Sequence, residues 1–228
     1  MLHVVALLSL FLAILSSTVI SIDEALNPQP MWIMNVVWPA TALYFGPLAL
    51  FFYFRVGRKK RDRAEGPSRE QMQKKTEQTE DWIQIAMATS HCGAGCALAD
   101  LVTESVLFAF AITFLGSDLW ASYLWDFIAA WIAGIAFQYL TIKPMRSLSP
   151  SQAVAAAAKA DTLSILAFQV GMYGWMAVVY FVFFRQPHLH PDQAAYWFMM
   201  QIGMICGFIT SYPMNSLLLR IGWKERMR

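Results

Sequence analysis

The chain has 228 residues, of which 57% are hydrophobic and only 14% charged, with a formal net charge of +2; an ordinary soluble domain carries about 25% charged residues. This deficit of charge excludes an ordinary soluble fold and points to lipid as the solvent. The three cysteines lie in or beside apolar stretches, which excludes a disulfide scaffold and leaves a reduced, structural or ligand role.

About 20 helical residues cross the hydrocarbon core of a bilayer. Six apolar stretches are long enough, over residues 2–20, 31–54, 94–115, 120–140, 160–184 and 194–219. The expected fold is therefore an all-α polytopic transmembrane helix bundle of about six helices. Its expected organisation is a two-helix hairpin over 1–54, a charged linker over 55–81 and a four-helix core over 82–228.

No Lys or Arg precedes the first stretch, and it runs into Asp23 and Glu24, so it reads as a retained helix rather than a cleaved secretory signal. Pro39 and Pro47 should kink the second. The linker holds nine Lys or Arg between positions 55 and 75, interleaved with acids and almost free of apolar residues, and reads as solvated. Its cluster Arg58, Lys59, Lys60, Arg61 and Arg63 abuts the second stretch and suits anionic lipid head groups rather than nucleic acid.

Basic residues in short loops mark the cytoplasmic side. Lys143, Arg146 and Lys159 flank the turn after the fourth stretch, and Arg220, Lys224, Arg226 and Arg228 form the tail. With both termini in the cytoplasm, sixteen of the seventeen cations fall on that side, Arg185 being the exception.

The densest chemistry is Thr89-Ser90-His91-Cys92-Gly93-Ala94-Gly95-Cys96, followed by Asp100 and Glu104. On a helix, positions 92, 96, 100 and 104 share one face and make a polar ladder about 18 Å long at about 1.5 Å rise per residue. Gly93 and Gly95 predict a break near the cytoplasmic surface, which would put Cys96 at the start of the crossing and Glu104 near mid-membrane. Ionised carboxylates are costly against lipid, so both acids should face the bundle interior. Candidate partners there are Thr162, Ser164, Gln169, Gln201, Thr210, Asp126 and Gln138. The alternative is an interhelical hydrogen-bond network without a pathway.

Cys92 and Cys96, one turn apart with His91 adjacent, suit a soft cation such as Cu(I), or Zn(II). Met199, Met200, Met204 and Cys206 add soft sulfur donors, although Met also fills ordinary helix packing. A thiol redox reading of the same pair is weaker, because Cys206 is the one thiol outside it. His188 and His190 alternate in the loop before the sixth stretch and could both reach a cation. Gly171 with Gly174, and Gly203 with Gly207, read as helix-packing signals. Ala97-Leu98-Ala99-Asp100 echoes Ala158-Lys159-Ala160-Asp161, which hints at a parallel repeat. Phosphate loops, dinucleotide fingerprints, Ser-His-Asp sets and zinc-protease helices are absent, so an ATP-driven pump on this chain alone is excluded and no catalytic residue is assigned.

Ser90-His91-Cys92-Gly93-Ala94-Gly95-Cys96, together with residues 134–139, 159–164 and 196–204, resembles a bacterial integral-membrane family catalogued only as a domain of unknown function. The likeness covers residues 82–223 and implies a bacterial inner-membrane location and no activity.

The leading expectation is a transporter or handler of a soft, copper-like cation. His91, Cys92 and Cys96 would capture it, with Asp100, Glu104, Gln169 and Gln201 along the path and His188, His190, Met200 and Met204 as secondary ligands. The alternatives are a membrane thiol redox enzyme and a non-catalytic membrane subunit. The expected partners are the lipid bilayer and anionic lipids, with self-association into a homo-oligomer left open.

Overall fold

A computed structural model describes residues 1–29, 31–58, 81–145 and 149–224. Among the described residues there are seven helices and no strand. They are α1 (Leu2–Leu26), α2 (Met34–Phe45), α3 (Pro47–Phe52), α4 (Asp81–Ala109), α5 (Asp118–Met145), α6 (Pro150–Val178) and α7 (Ala194–Arg220). Wider π turns extend α3 over Tyr53–Gly57 and α6 over Val179–Phe183. The all-α bundle is as expected.

Five helices, α1 and α4 to α7, are long and apolar enough to cross a membrane. The chain is a multi-pass membrane protein, and its burial pattern has the matching sense. Large apolar side chains such as Phe11, Val102, Ile132 and Val170 face outward, while His91, Asp100, Glu104, Asp126, Asp161 and Lys224 are buried. That distribution is costly in water and favourable in lipid.

Helices α4 to α7 surround one interior, with α4 against α5 and α7 and α6 between α5 and α7; α1 and α2 lean on α4 and α7. Short side chains allow close approach. Gly95 meets the backbone of Gly134 on α5, and Gly171 and Gly207 sit where α6 and α7 touch, as the glycine spacing implied, whereas Gly174 faces open space. Ser149 caps α6 in a reciprocal box with Gln152, with Pro150 in the first turn.

The second apolar stretch departs from expectation. It does not cross: it is a hairpin that reverses at Gly46, whose φ of 56° and ψ of −132° suit a residue without Cβ. Pro47 then opens α3. The tip reaches Ala13, half-way along α1. Both ends of the hairpin return to the far end of α1. Tyr53 Oη donates to Asp23 Oδ2 at 2.8 Å, Arg58 pairs with Asp23 at 2.7 Å, and Gln29 Nε2 donates to the Gly57 carbonyl at 3.1 Å. The Trp38 and Tyr53 rings meet edge to face at 5.6 Å.

Among the described residues the bundle therefore has five crossings and one re-entrant hairpin, with Met1 and Lys224 at opposite ends of it. α1 runs parallel to α7, since Ser9 near its start donates to Gln201 in the first half of α7 at 2.7 Å. The expectation of both termini on one side gives way, because one fewer crossing inverts everything before the linker. Arg58, Lys143, Lys159, Arg220 and Lys224 still share one end, here called the basic end; Met1 and the loops 110–117 and 184–193 form the outer end. Lys59, Lys60, Arg61 and Arg63 lie outside the described residues.

The expected break at Gly93 and Gly95 is absent. α4 is continuous for 29 residues, because those glycines serve close packing, Gly93 against Tyr44 and Phe168 and Gly95 against Gly134. Cys92 and Cys96 consequently sit near the middle of the helix and Glu104 near its outer end.

Candidate functional site: a buried polar column

The ladder residues of α4 face the interior, as their spacing required. Cys92, Cys96, Asp100 and Glu104 are each no more than 3% exposed. At the outer end, Glu104 is joined by Asp126 of α5, and Asp100, Asp126 and Tyr196 all lie within electrostatic reach of it. Tyr123 and Tyr173 brace this level, with rings stacked 4.2 Å apart and each hydroxyl donating to the other's carbonyl, at 2.6 and 2.8 Å. Above the acids lies a vestibule of about 70 Å³ lined by Glu104, Asp126, Met172, Met176, Met200, His188 and His190. A second space of about 220 Å³ shares Glu104, Asp118, Ser122 and His190 with it and extends toward the loop after α4.

Below the acids, polar atoms without protein partners continue along the interior. Both Asp100 oxygens, Asp126 Oδ1, both amide atoms of Gln169 and of Gln138, His91 Nδ1 and Asp161 Oδ2 are buried with no hydrogen-bond partner. They come from α4, α5 and α6 and step from the outer acids to the basic end. Buried polar atoms normally find partners, so a cluster of exceptions marks where water or a ligand completes the structure.

The column ends on an ion pair. Gly222, at φ 71°, turns the chain after α7 back on itself, so that Lys224 enters the bundle. Its Nζ lies 3.0 Å from Asp161 Oδ1, 2.8 Å from Asn215 Oδ1 and 3.5 Å from Ser164 Oγ. Both charged side chains are fully buried. Lys159 stands over the Trp223 ring at 4.3 Å and holds the turn from outside.

The other sequence-predicted residues fall as follows. His91 Nε2 is 3.0 Å from Thr141 Oγ1, on the side of α4 facing α5, whereas Cys92 and Cys96 pack among Tyr44, Phe168 and Met204. Among the described residues no three His, Cys, Asp or Glu side chains converge to enclose a metal ion. All three cysteines are free thiols. Gln201 is bonded at both amide atoms, donating to the Leu43 carbonyl at 2.7 Å and accepting from Ser9. Of the proposed partners for the acids, Asp126 is the one that reaches them; Thr162 bonds Trp131, Thr210 bonds the Ala167 carbonyl and Ser164 serves Lys224. His188 stacks on Tyr180 at 3.7 Å, and His190 lies beside Phe108. Met200 lines the vestibule, and Met204 belongs to a separate cavity beside Asp100.

The family described as Domain of unknown function (DUF4396) matches residues 81–224. The chain belongs to this family. No curated protein and no solved structure matches it. The family region begins with α4 and ends on Lys224, so it contains every acid of the column and its closing lysine, and leaves α1 and the re-entrant hairpin outside.

Asp161 and Lys224 had drawn no functional reading from the sequence. Asp161 entered only through the echo with Asp100, and the two acids sit at different depths, since Asp161 comes early in α6 and Asp100 late in α4. An acid inside an apolar helical stretch was a sufficient signal for Asp161.

Proposed function

We propose that the protein moves a small cation across a bacterial inner membrane along this column, from the vestibule past Glu104, Asp126 and Asp100 toward Asp161. The basic end then faces the cytoplasm, in keeping with the distribution of Lys and Arg, and Arg58 meets anionic lipid there. The observation that carries the reading is the set of unpartnered acidic and amide atoms at successive depths between the vestibule and a buried ion pair. A buried carboxylate in low dielectric takes up a proton or a counter-cation, and adjacent acids compete for it more strongly.

A soft cation such as Cu(I) is the leading cargo. Thioethers of Met172, Met176 and Met200 and imidazoles of His188 and His190 line the vestibule, and Cys92 and Cys96 lie midway down α4 with His91 beside them. These donors are met in succession rather than as one closed cage. That arrangement suits conduction, where each site must bind weakly enough to release.

The test is copper accumulation in cells and metal content of the detergent-purified protein, compared among wild type, Glu104→Gln, Asp126→Asn and the double variant Cys92→Ser with Cys96→Ser. Loss of accumulation in the carboxylate variants with normal expression supports the path. Loss in the cysteine variant alone makes the thiols the capture site, and wild-type accumulation in all three overturns the proposal.

A further inference from the structure

A further cavity reaches Asp100, the third of the clustered acids, from the side. It has a volume of about 340 Å³ and lies between α1, the tip of the hairpin, α4 and α7. Its rim carries Ile14 and Leu101, which are 59% and 43% exposed on the outer surface of the bundle, so in a membrane it opens toward lipid. Asp100 stands at its floor, 1% exposed, with both carboxyl oxygens unpartnered. The Tyr44 hydroxyl, also on the floor, has no partner either. The Gln201 amide bonds Ser9 and Leu43, tying α1 and the hairpin tip to α7 and so framing the cavity. Trp197 bonds the Pro191 carbonyl through its ring nitrogen at 2.7 Å, which leaves its aromatic face for the cavity.

The chemistry of this lining selects one class of occupant. A hydrated inorganic ion is poorly matched to walls of Leu, Ile, Met and Trp, and spaces lined in this way stay dry. A neutral hydrocarbon fills the volume and leaves Asp100 uncompensated, and an anion is repelled. A molecule with an apolar body and a positive centre satisfies both demands, since the carboxylate supplies the counter-charge and the indole face attracts a cation. We propose that this cavity binds amphiphilic organic cations that enter sideways from the bilayer, with Asp100 as their counter-charge. The site goes beyond the cation path through the vestibule and shares Asp100 with it, but not Glu104 or Asp126.

The probe is tetraphenylphosphonium, measured by equilibrium dialysis against the detergent-purified full-length protein, with tetraphenylborate as an anion of nearly the same shape. Saturable binding of the cation and none of the anion is expected. Asp100→Asn should weaken it by about tenfold or more, the scale of one lost charged contact. Ala97→Leu, which fills the cavity without touching the acid, should weaken it comparably and decides the matter should the Asp100 variant not fold. The cation should quench fluorescence of the wild type more than of Trp197→Phe. Undiminished binding in both Asp100→Asn and Ala97→Leu, or equal binding of tetraphenylborate, overturns the site. Copper accumulation by Glu104→Gln tests the vestibule path separately, so failure of one reading is distinguishable from failure of the other.

Discussion

The two ends of the bundle treat buried charge in opposite ways. At the basic end Asp161 has an internal cation, Lys224, which also bonds Asn215 and Ser164, so the group is nearly complete in itself. At the outer end Asp100, Glu104 and Asp126 crowd together with tyrosines, and among the described residues no Lys or Arg lines the vestibule beside them. The first arrangement closes; the second waits for a charge from outside. The contrast can be broken at either end.

The largest effect on stability is expected at the basic end. Lys224→Met leaves Asp161 buried and unpaired, and breaking a buried pair on one side costs about 3 to 5 kcal/mol. Adding Asp161→Leu should restore most of that loss. Thermal unfolding in detergent of the two single variants and the double variant checks both statements, and a double-variant cost equal to the sum of the two single-variant costs would mean that the pair does not couple.

A smaller loss is expected at the hairpin that separates the ends. Gly46→Ala forces a side chain into a left-handed backbone position, with a penalty of about 1 to 3 kcal/mol. The same element predicts opposite sides for the termini. A membrane-impermeant maleimide applied to spheroplasts should label a cysteine at His3 and leave one at Ile221 unlabelled. Labelling of both from outside would return the hairpin to a full crossing.

The smallest effect on stability is expected where the effect on transport is greatest. Interhelical hydrogen bonds in membranes average about 0.6 kcal/mol, so Glu104→Gln and Asp126→Asn should shift unfolding little. The same variants should abolish cation accumulation, whereas a structural network would lose stability and accumulation together. Unfolding temperature and accumulation measured on one set of preparations separate the two outcomes.

Much of the architecture was legible because lipid imposes simple rules. A run of apolar residues must become helix, since backbone groups in hydrocarbon have no water to bond, and acids on such a helix must turn inward. The ladder Cys92, Cys96, Asp100 and Glu104 follows from helical period alone, and Asp126 was among its candidate partners. The glycines of α4 were misread because a glycine permits both a break and a close approach, and the choice rests on whether Tyr44, Phe168 and Gly134 arrive to fill the groove.

By itself the sequence determined the helical class, the inward face of α4 and the gathering of basic residues at one end, because these depend on residue type and period. Only the tertiary structure decided that the second apolar stretch turns back and that Lys224 enters the bundle. Gly46-Pro47 permits either a kink or a reversal, and contacts at the far end of α1, from Asp23 to Tyr53 and Arg58 and from Gln29 to Gly57, select the reversal. A lysine four residues after α7 reads as solvated tail until Asp161, 63 positions away in sequence, offers a buried charge to pair with. Such pairings are long-range, and no local pattern encodes them.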